Sequence, residues 1–198
     1  MRVLPMGQRA VLLEDLELDP ATWSAAFRAH PQPGVVDVVP AAKTVLVTFS
    51  SAEARGGASF AVVQAAAAAN VRPALVEIPV TYDGADLEEV AQRTGLTTAQ
   101  VVDRHAGAVY HVAFCGFAPG FAYLRGLPEG LHLPRRTTPR TSVPAGSVAI
   151  AAEYSAVYPR SSPGGWHLLG TTEIVLFDPH RSEPALLQPG ARVRFVPA

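Results

Sequence analysis

The chain has a single cysteine, Cys115, so no internal disulfide can form and the composition fits a reducing cytoplasm. Charge is scarce and balanced: 16 lysines and arginines face 17 acidic residues, a net charge of −1. That excludes the basic footprint of a nucleic-acid binder and the polybasic patch of a protein held on anionic lipid. No apolar run approaches the roughly 18 residues that a membrane-spanning helix needs. The start, "MRVLPMGQRAVLLEDLELDP", lacks the unbroken apolar stretch of a signal peptide. The expectation is a soluble cytoplasmic protein with no nucleic-acid or membrane partner.

Familiar catalytic signatures are equally sparse. There is no glycine-rich phosphate loop ending in Lys-Ser or Lys-Thr, no HExxH and no paired CxxC. Ser147, in "PAGSVAI", lacks the second glycine of a nucleophile elbow. Cys115 has no evident base beside it and reads as an inert thiol. The six histidines show no metal spacing, and His30, His132 and His180 read as surface residues, so no metal is expected.

What is present is a core and many turns. Of 198 residues, 48% are hydrophobic and 17% charged, enough for one large domain or two small ones. Eighteen prolines and sixteen glycines predict a turn-rich β architecture over part of the chain. "RAVLLE", "GVVDVVP", "KTVLVTF" and "PALVEIPV" read as strands. "DPATWSAAFRAH" reads as a helix with Asp19 as N-cap and Pro20 at its first position, and the alanine-rich "ASFAVVQAAAAANV" as a second. The order is β-α-β-β-α-β, the split pattern of a ferredoxin-like sandwich over residues 1–80. "DGADLEEVAQRTG" and "TTAQVVDRHAG" read as two short helices, the second with a Thr97–Gln100 capping box. From Val109 onward only short strands between prolines and glycines appear, so residues 81–198 are expected to form a barrel or sandwich.

Four stretches carry the candidate chemistry. "GFAPGFAYL" joins Gly116, Phe117, Pro119, Gly120, Phe121 and Tyr123 on one rigid turn, with Gly116 and Gly120 where a Cβ would obstruct. Such aromatics either line a pocket or cement a barrel end. "PRRTTPR" sets Arg135, Arg136 and Arg140 on a loop stiffened by Pro134 and Pro139. Guanidinium groups held this way make a planar anion site; the alternative is a solvated basic loop. "VPAGSVAI" is a tight turn at Pro144 and Gly146 feeding a strand. "YPRSSPGGWHLLG" adds Arg160 and Ser162, then a turn at Gly164 and Gly165 presenting Trp166 and His167. Together they read as one cleft.

In this order and spacing, "GFAPGFAYL", "LPRRTTPRTSVPAGSVAI" and "YPRSSPGGWHLLGTT" resemble the PxpB family, the B-type subunits of 5-oxoprolinase, also called KipI or allophanate hydrolase subunit 1. The motifs cover about residues 105–195. The resemblance implies an α+β protein: a small α/β sandwich, then a cyclophilin-like β-barrel of carboxyltransferase type. It implies a PxpC- or KipA-like partner barrel, a PxpA-like subunit, and ATP-driven opening of 5-oxoproline to L-glutamate. ATP, with Mg, would be shared with the partner, and no cofactor would be held tightly by this chain alone. Gly7-Gln8, Gly190-Ala191 and Gly170-Thr171-Thr172 depart from the family's usual Gly-Asp, Gly-Asp and Gly-Arg-Thr.

On the enzyme reading, Arg135, Arg136, Arg140 and Arg160 supply cations around developing phosphate charge. Phe117 and Phe121 pack inward at the mouth of the barrel, Tyr123 faces the cleft, His167 shuttles a proton, and Trp166 with Tyr123 anchors a partner. A second reading makes the chain a KipI-like inhibitor of a sensor histidine kinase, gripping a helical bundle with its aromatic face. A third makes it a carboxyltransferase-type partner of a biotin-dependent enzyme.

Overall fold

The computed structural model describes residues 1–60 and 75–198, which fall into two compact units, Met1–Pro73 and Ala74–Ala198. The first unit holds β1 (Arg2–Met6), β2 (Ala10–Glu14), α1 (Pro20–Ala29), β3 (Val35–Pro40), β4 (Val45–Phe49) and α2 (Ala52–Gly56). The Asp19 carboxylate accepts from the Ala21 N–H, capping α1 as its sequence predicts, with Pro20 at the first turn. One face of α1 buries Trp23, Ala26 and Phe27 against Val11, Leu13, Val45, Val47 and Phe49 of the sheet. The alanine-rich run expected as a second helix lies mostly outside the described residues.

The sheet is antiparallel, in the order β1-β2-β4-β3. Strands β2, β4 and β3 hold the places of a ferredoxin-like sandwich. The outer place beside β2, expected for "PALVEIPV", is taken by β1, a segment that the sequence pattern does not single out as a strand. A hairpin turning at Gly7 closes at small entropic cost, so local pairing wins.

"PALVEIPV" instead supplies β5 (Leu75–Val80) of the second unit, where it pairs in parallel with the C-terminal strand. Its inward side chains explain this: Val76, Ile78 and Val80 join the barrel core. Two helices follow, α3 (Leu87–Thr94) and α4 (Thr98–Ala106), and the second carries the expected capping box. Then come β6 (Tyr110–Cys115), β7 (Ala122–Arg125), a 3-10 turn at Glu129–Leu131, β8 (Arg140–Val143), β9 (Ser147–Ala151), β10 (Tyr154–Val157), β11 (Ser162–Gly164), β12 (His167–Thr171) and β13 (Arg192–Pro197).

Seven of these strands form one sheet, β12-β9-β10-β7-β6-β13-β5. Its ends meet where Thr81 and Thr171 exchange backbone hydrogen bonds of 2.9 and 2.8 Å, so the sheet curls into a nearly closed barrel. The stitching continues past the bridge, since the Gly84 and Asp86 N–H groups donate to the Leu169 and Leu168 carbonyls. Thr81–Asp86, where a domain junction was expected, is therefore fastened to β12. The fold class is the expected one: an α/β sandwich followed by a cyclophilin-like barrel.

Alternation along β9 and β12 gives the barrel wall two buried faces. Val148, Ile150 and Leu169 point into the barrel core. Ala149, Ala151 and Leu168 point outward, where the small β8–β11 sheet and the aromatic turn cover them.

The core also encloses a hydrogen-bonded chain absent from any motif. His105 is fully buried, with Nδ1 2.8 Å from the Tyr82 hydroxyl and Nε2 2.9 Å from Ser155 Oγ. Ser155 donates onward to the Ala149 carbonyl, so Nε2 carries the ring hydrogen and Tyr82 donates to Nδ1. The imidazole stacks on Phe195 at 4.5 Å. Burial lowers its pKa to about 3, far below an ordinary histidine.

Linkage turns this into a test. Unfolding frees His105 to take a proton below pH 6.5, whereas the folded protein refuses it until about pH 3. Between those limits stability falls by about 1.4 kcal/mol for each unit of acidification on account of this residue. Denaturant titrations at several pH values should show that extra slope in the native chain and not in His105→Gln. Parallel slopes would mean that His105 is charged when folded.

Candidate functional site

The turn that raises the aromatic residues is a type II β-turn. The Phe121 N–H donates to the Ala118 carbonyl at 3.0 Å, Pro119 takes the second place, and Gly120 takes the third with φ +80. A Cβ on Gly120 would also meet Phe177 Cβ at 2.7 Å. Gly116, expected to need its missing side chain, does not: the nearest atom to a Cβ there is Tyr123 Cε2 at 4.0 Å. The strain sits instead on Phe117. Its φ is +67, and the Ala118 N–H reaches the Gly116 carbonyl at 2.7 Å, closing a positive-φ γ-turn.

Behind this turn the rings interlock. Phe121 is edge-on to Trp166, Tyr158 and Tyr123 at centroid distances of 5.7, 5.3 and 5.1 Å. Tyr123 stacks on Phe114 at 4.3 Å. The rings have room because the outward wall residues beneath them, Ala149, Ala151 and Ala156, are small. Gly164 is needed for the same closeness, since a Cβ there would collide with the Tyr158 hydroxyl.

A cleft of about 250 Å³ remains between the rings and the "PRRTTPR" loop. Phe117, Phe121, Tyr123, Tyr158 and Trp166 line it, with Arg135, Pro139, Pro163 and the Gly164-Gly165 pair at its edges. Arg135 is the one charged residue of the lining and has no ion-pair partner among the described residues. Burial raises the Tyr158 pKa; Arg135, the Trp166 N–H and Arg140 offset this only in part, so the phenol stays protonated. An aromatic trough with one cation and a neutral hydroxyl suits a small anion carried on a flat or apolar body.

Several expected site residues stand elsewhere. Arg136 and Arg140 do converge on an anion, but that anion is the chain's own Asp86. Arg140 grips Asp86 with both terminal nitrogens at 2.9 and 2.7 Å. Arg136 reaches Asp86 and Glu89, each at 2.8 Å. Asp86 is only 2% exposed and also accepts the Leu168 N–H at 2.8 Å. Burial alone would raise this carboxyl; the Arg140 fork, Leu168 and Arg136 outweigh it and hold it below the usual carboxylate range.

His167 is 0% exposed, does not line the cleft, and places Nε2 2.9 Å from the Pro134 carbonyl. Arg160 is exposed, and Ser162 Oγ donates to the Arg160 carbonyl; neither lines the cleft. Phe117, expected to pack inward, is 60% exposed, whereas Phe121 is buried. Trp166, expected to anchor a partner from the surface, is 5% exposed and floors the cleft. Pro144 and Gly146 form the expected turn, with the Gly146 N–H bonded to the Tyr158 carbonyl. Sequence reasoning missed Asp86, Glu89 and Tyr158. The acidic pair on the "GADLEE" helix start was the available signal.

The two kinds of arginine should separate in a denaturation experiment. Arg140→Ala strips the buried Asp86 of its fork and should cost about 3–5 kcal/mol of stability. Arg135→Ala should stay within about 0.5 kcal/mol, as an exposed unpaired residue does. Equal losses would show that the division is wrong.

Residues 1–187 match the family described as carboxyltransferase domain, subdomain C and D. A relative from Escherichia coli O157:H7, named as the B-type subunit of 5-oxoprolinase, is 43% identical over 97% of this chain and 94% of its own. A protein of the same name from Haemophilus influenzae is 49% identical over 61% of this chain and 58% of its own. Among solved structures, TTHA0988 superposes with a TM-score of 0.79 and 37% identity over 96% of this chain, which spans 40% of that longer one. PH0987 from Pyrococcus horikoshii matches nearly end to end, over 100% of this chain and 97% of its own, with 31% identity and a TM-score of 0.62. The Kluyveromyces lactis urea amidolyase shares the fold at 20% identity and a TM-score of 0.65, over 99% of this chain and 15% of its own.

Proposed function

Because the chain belongs to the PxpB family of 5-oxoprolinase subunits, which are carboxyltransferase-domain proteins, we propose that it is one subunit of an ATP-dependent 5-oxoprolinase, working with PxpC-like and PxpA-like subunits. The observation that carries the reading is the nearly full-length similarity to a protein of that name, 43% identical over 97% of this chain.

The chemistry explains why ATP and several chains are involved. Resonance makes the lactam nitrogen a poor leaving group. Transfer of the γ-phosphoryl group to the lactam oxygen, with release of ADP, removes that resonance and makes the carbon electrophilic. Water then adds to the carbon, the C–N bond opens with a proton going to nitrogen to leave an acyl phosphate, and a second water cleaves that to the carboxylate and inorganic phosphate. The products are glutamate, ADP and phosphate. The protein must hold the ring, meet its carboxylate and balance the phosphoryl charge.

This chain's cleft supplies part of that. Its aromatic walls suit a flat ring, Arg135 suits a carboxylate or phosphoryl oxygen, and the protonated Tyr158 hydroxyl can donate a hydrogen bond. One guanidinium fits a carboxylate better than it fits a triphosphate with Mg. ATP is therefore assigned to the assembled complex, with the partner subunits completing the phosphate site.

Co-expression with the presumed partners tests this. ADP release should depend on 5-oxoproline, appear in the assembled complex and be absent from this chain alone. Within the complex, Arg135→Lys keeps the charge but loses the planar fork, so kcat/KM should fall about tenfold or more. A complex that ignores 5-oxoproline would overturn the reading in favour of a binding-only role. An unchanged Arg135→Ala would move the site out of this cleft.

A further inference from the structure

Arg135 has neighbours that are fixed while it is not. On one side, the Arg136 N–H donates to the Gly165 carbonyl at 2.8 Å, and the Arg136 guanidinium is held by Asp86 and Glu89. On the other side, the Pro134 carbonyl lies 2.9 Å from His167 Nε2. A carbonyl oxygen can only accept, so that nitrogen carries the ring hydrogen. Gly165 and His167 flank Trp166 just as Pro134 and Arg136 flank Arg135. The two bonds therefore bracket Arg135 and Trp166, which line the cleft together with Gly165.

His167 is an unusual choice for this task. Its side chain is fully buried, and Nδ1 has no hydrogen-bond partner among the described residues, lying 3.9 Å from Glu89 Oε1. A buried polar atom without a partner is costly, so an apolar residue would suit this place better if only packing mattered. What the ring contributes is one N–H, aimed at one carbonyl.

We propose that His167 is a positioning residue, whose Nε2–H holds the Pro134 carbonyl and so sets where the Arg135 guanidinium stands at the cleft that Trp166 floors. The proposal rests on the reading of the cleft as the site for the carboxylate-bearing substrate. It replaces the proton-shuttle role, for which a buried ring outside the lining has no access.

Two substitutions separate the N–H from the ring. The amide nitrogen of glutamine extends about as far as Nε2, whereas that of asparagine reaches only the place of Nδ1. In the isolated full chain, hydrogen exchange at the Arg136 amide should stay at its native rate in His167→Gln. It should rise tenfold or more in His167→Asn, with the other barrel amides unchanged in both. In the assembled complex, His167→Asn should raise the KM for 5-oxoproline about tenfold while leaving kcat within twofold, and His167→Gln should restore the native KM. Equal behaviour of the two variants in the exchange experiment would overturn the proposal, as would a loss confined to kcat. A complex inactive toward 5-oxoproline would instead refute the functional reading, and the exchange rates would still decide the role of His167.

Discussion

One buried carboxylate organises this barrel. Asp86 accepts four hydrogen bonds: two from Arg140, one from Arg136 and one from the Leu168 backbone. It stands at the N-cap of α3 yet makes no side-chain cap there. The usual use of an aspartate in that place has been surrendered to two arginines. Its own N–H meanwhile pairs with the Leu168 carbonyl, just beyond the Thr81–Thr171 bridge that brings the sheet ends together. A single residue thus joins the closure of the barrel, the start of a helix, the edge strand β8 and the arginine loop. A buried ion pair of this kind adds little net stability over apolar packing, but any other arrangement would leave a charge stranded. Its effect is therefore on which arrangement forms.

The cleft depends on that restriction in two ways. First, Arg136 and Arg140 are consumed, so the loop between them cannot fold onto a different anion, and Arg135 is the member left facing the trough. Secondly, Leu168 is fixed from both sides of its peptide, which fixes the neighbouring Gly165–His167 stretch that carries Trp166. The aromatic cluster adds its own requirement. Rings on the outer face of a barrel need small residues under them, and Ala149, Ala151 and Ala156 provide that relief. Cation and rings come from different parts of the chain, and the clamp brings them to one edge.

Much of this was legible locally. The Asp19–Pro20 helix start, the Thr97–Gln100 box and the Ala118–Phe121 turn are read from neighbours within four residues, and the structure has them. What failed was long range. The arginine loop looked like a free anion site because its carboxylate stands 54 residues upstream of Arg140, and no pattern ties the two together. Strand β5 reads like any other apolar run; only the barrel's unmet edge decides that it pairs with β13. His105 looked like a helix-end residue, since Tyr82 and Ser155 approach it from 23 and 50 residues away. Trp166 and Phe117 exchanged places relative to expectation because aromatic residues on a glycine-rich turn do not announce which ring faces water.

Phe117 carries this last point furthest. A bulky residue at φ +67 costs of order 1–3 kcal/mol, and burial does not compensate here, because the ring remains 60% exposed. Its edge-on contacts with Phe121 and Tyr158, at 5.2 and 6.4 Å, return part of that cost. The hydrogen bonds of the Pro119–Gly120 turn do not need an aromatic at 117, and a glycine would adopt the same backbone without strain. The fold therefore does not account for this side chain. Its position does: on the cleft's lining and against Tyr158, it carries apolar surface out toward solvent. Asp86 and His105 are each satisfied within the chain. Phe117 is set by its turn and Arg135 only through its fixed neighbours, and among the described residues the Arg135 guanidinium has no ion-pair partner.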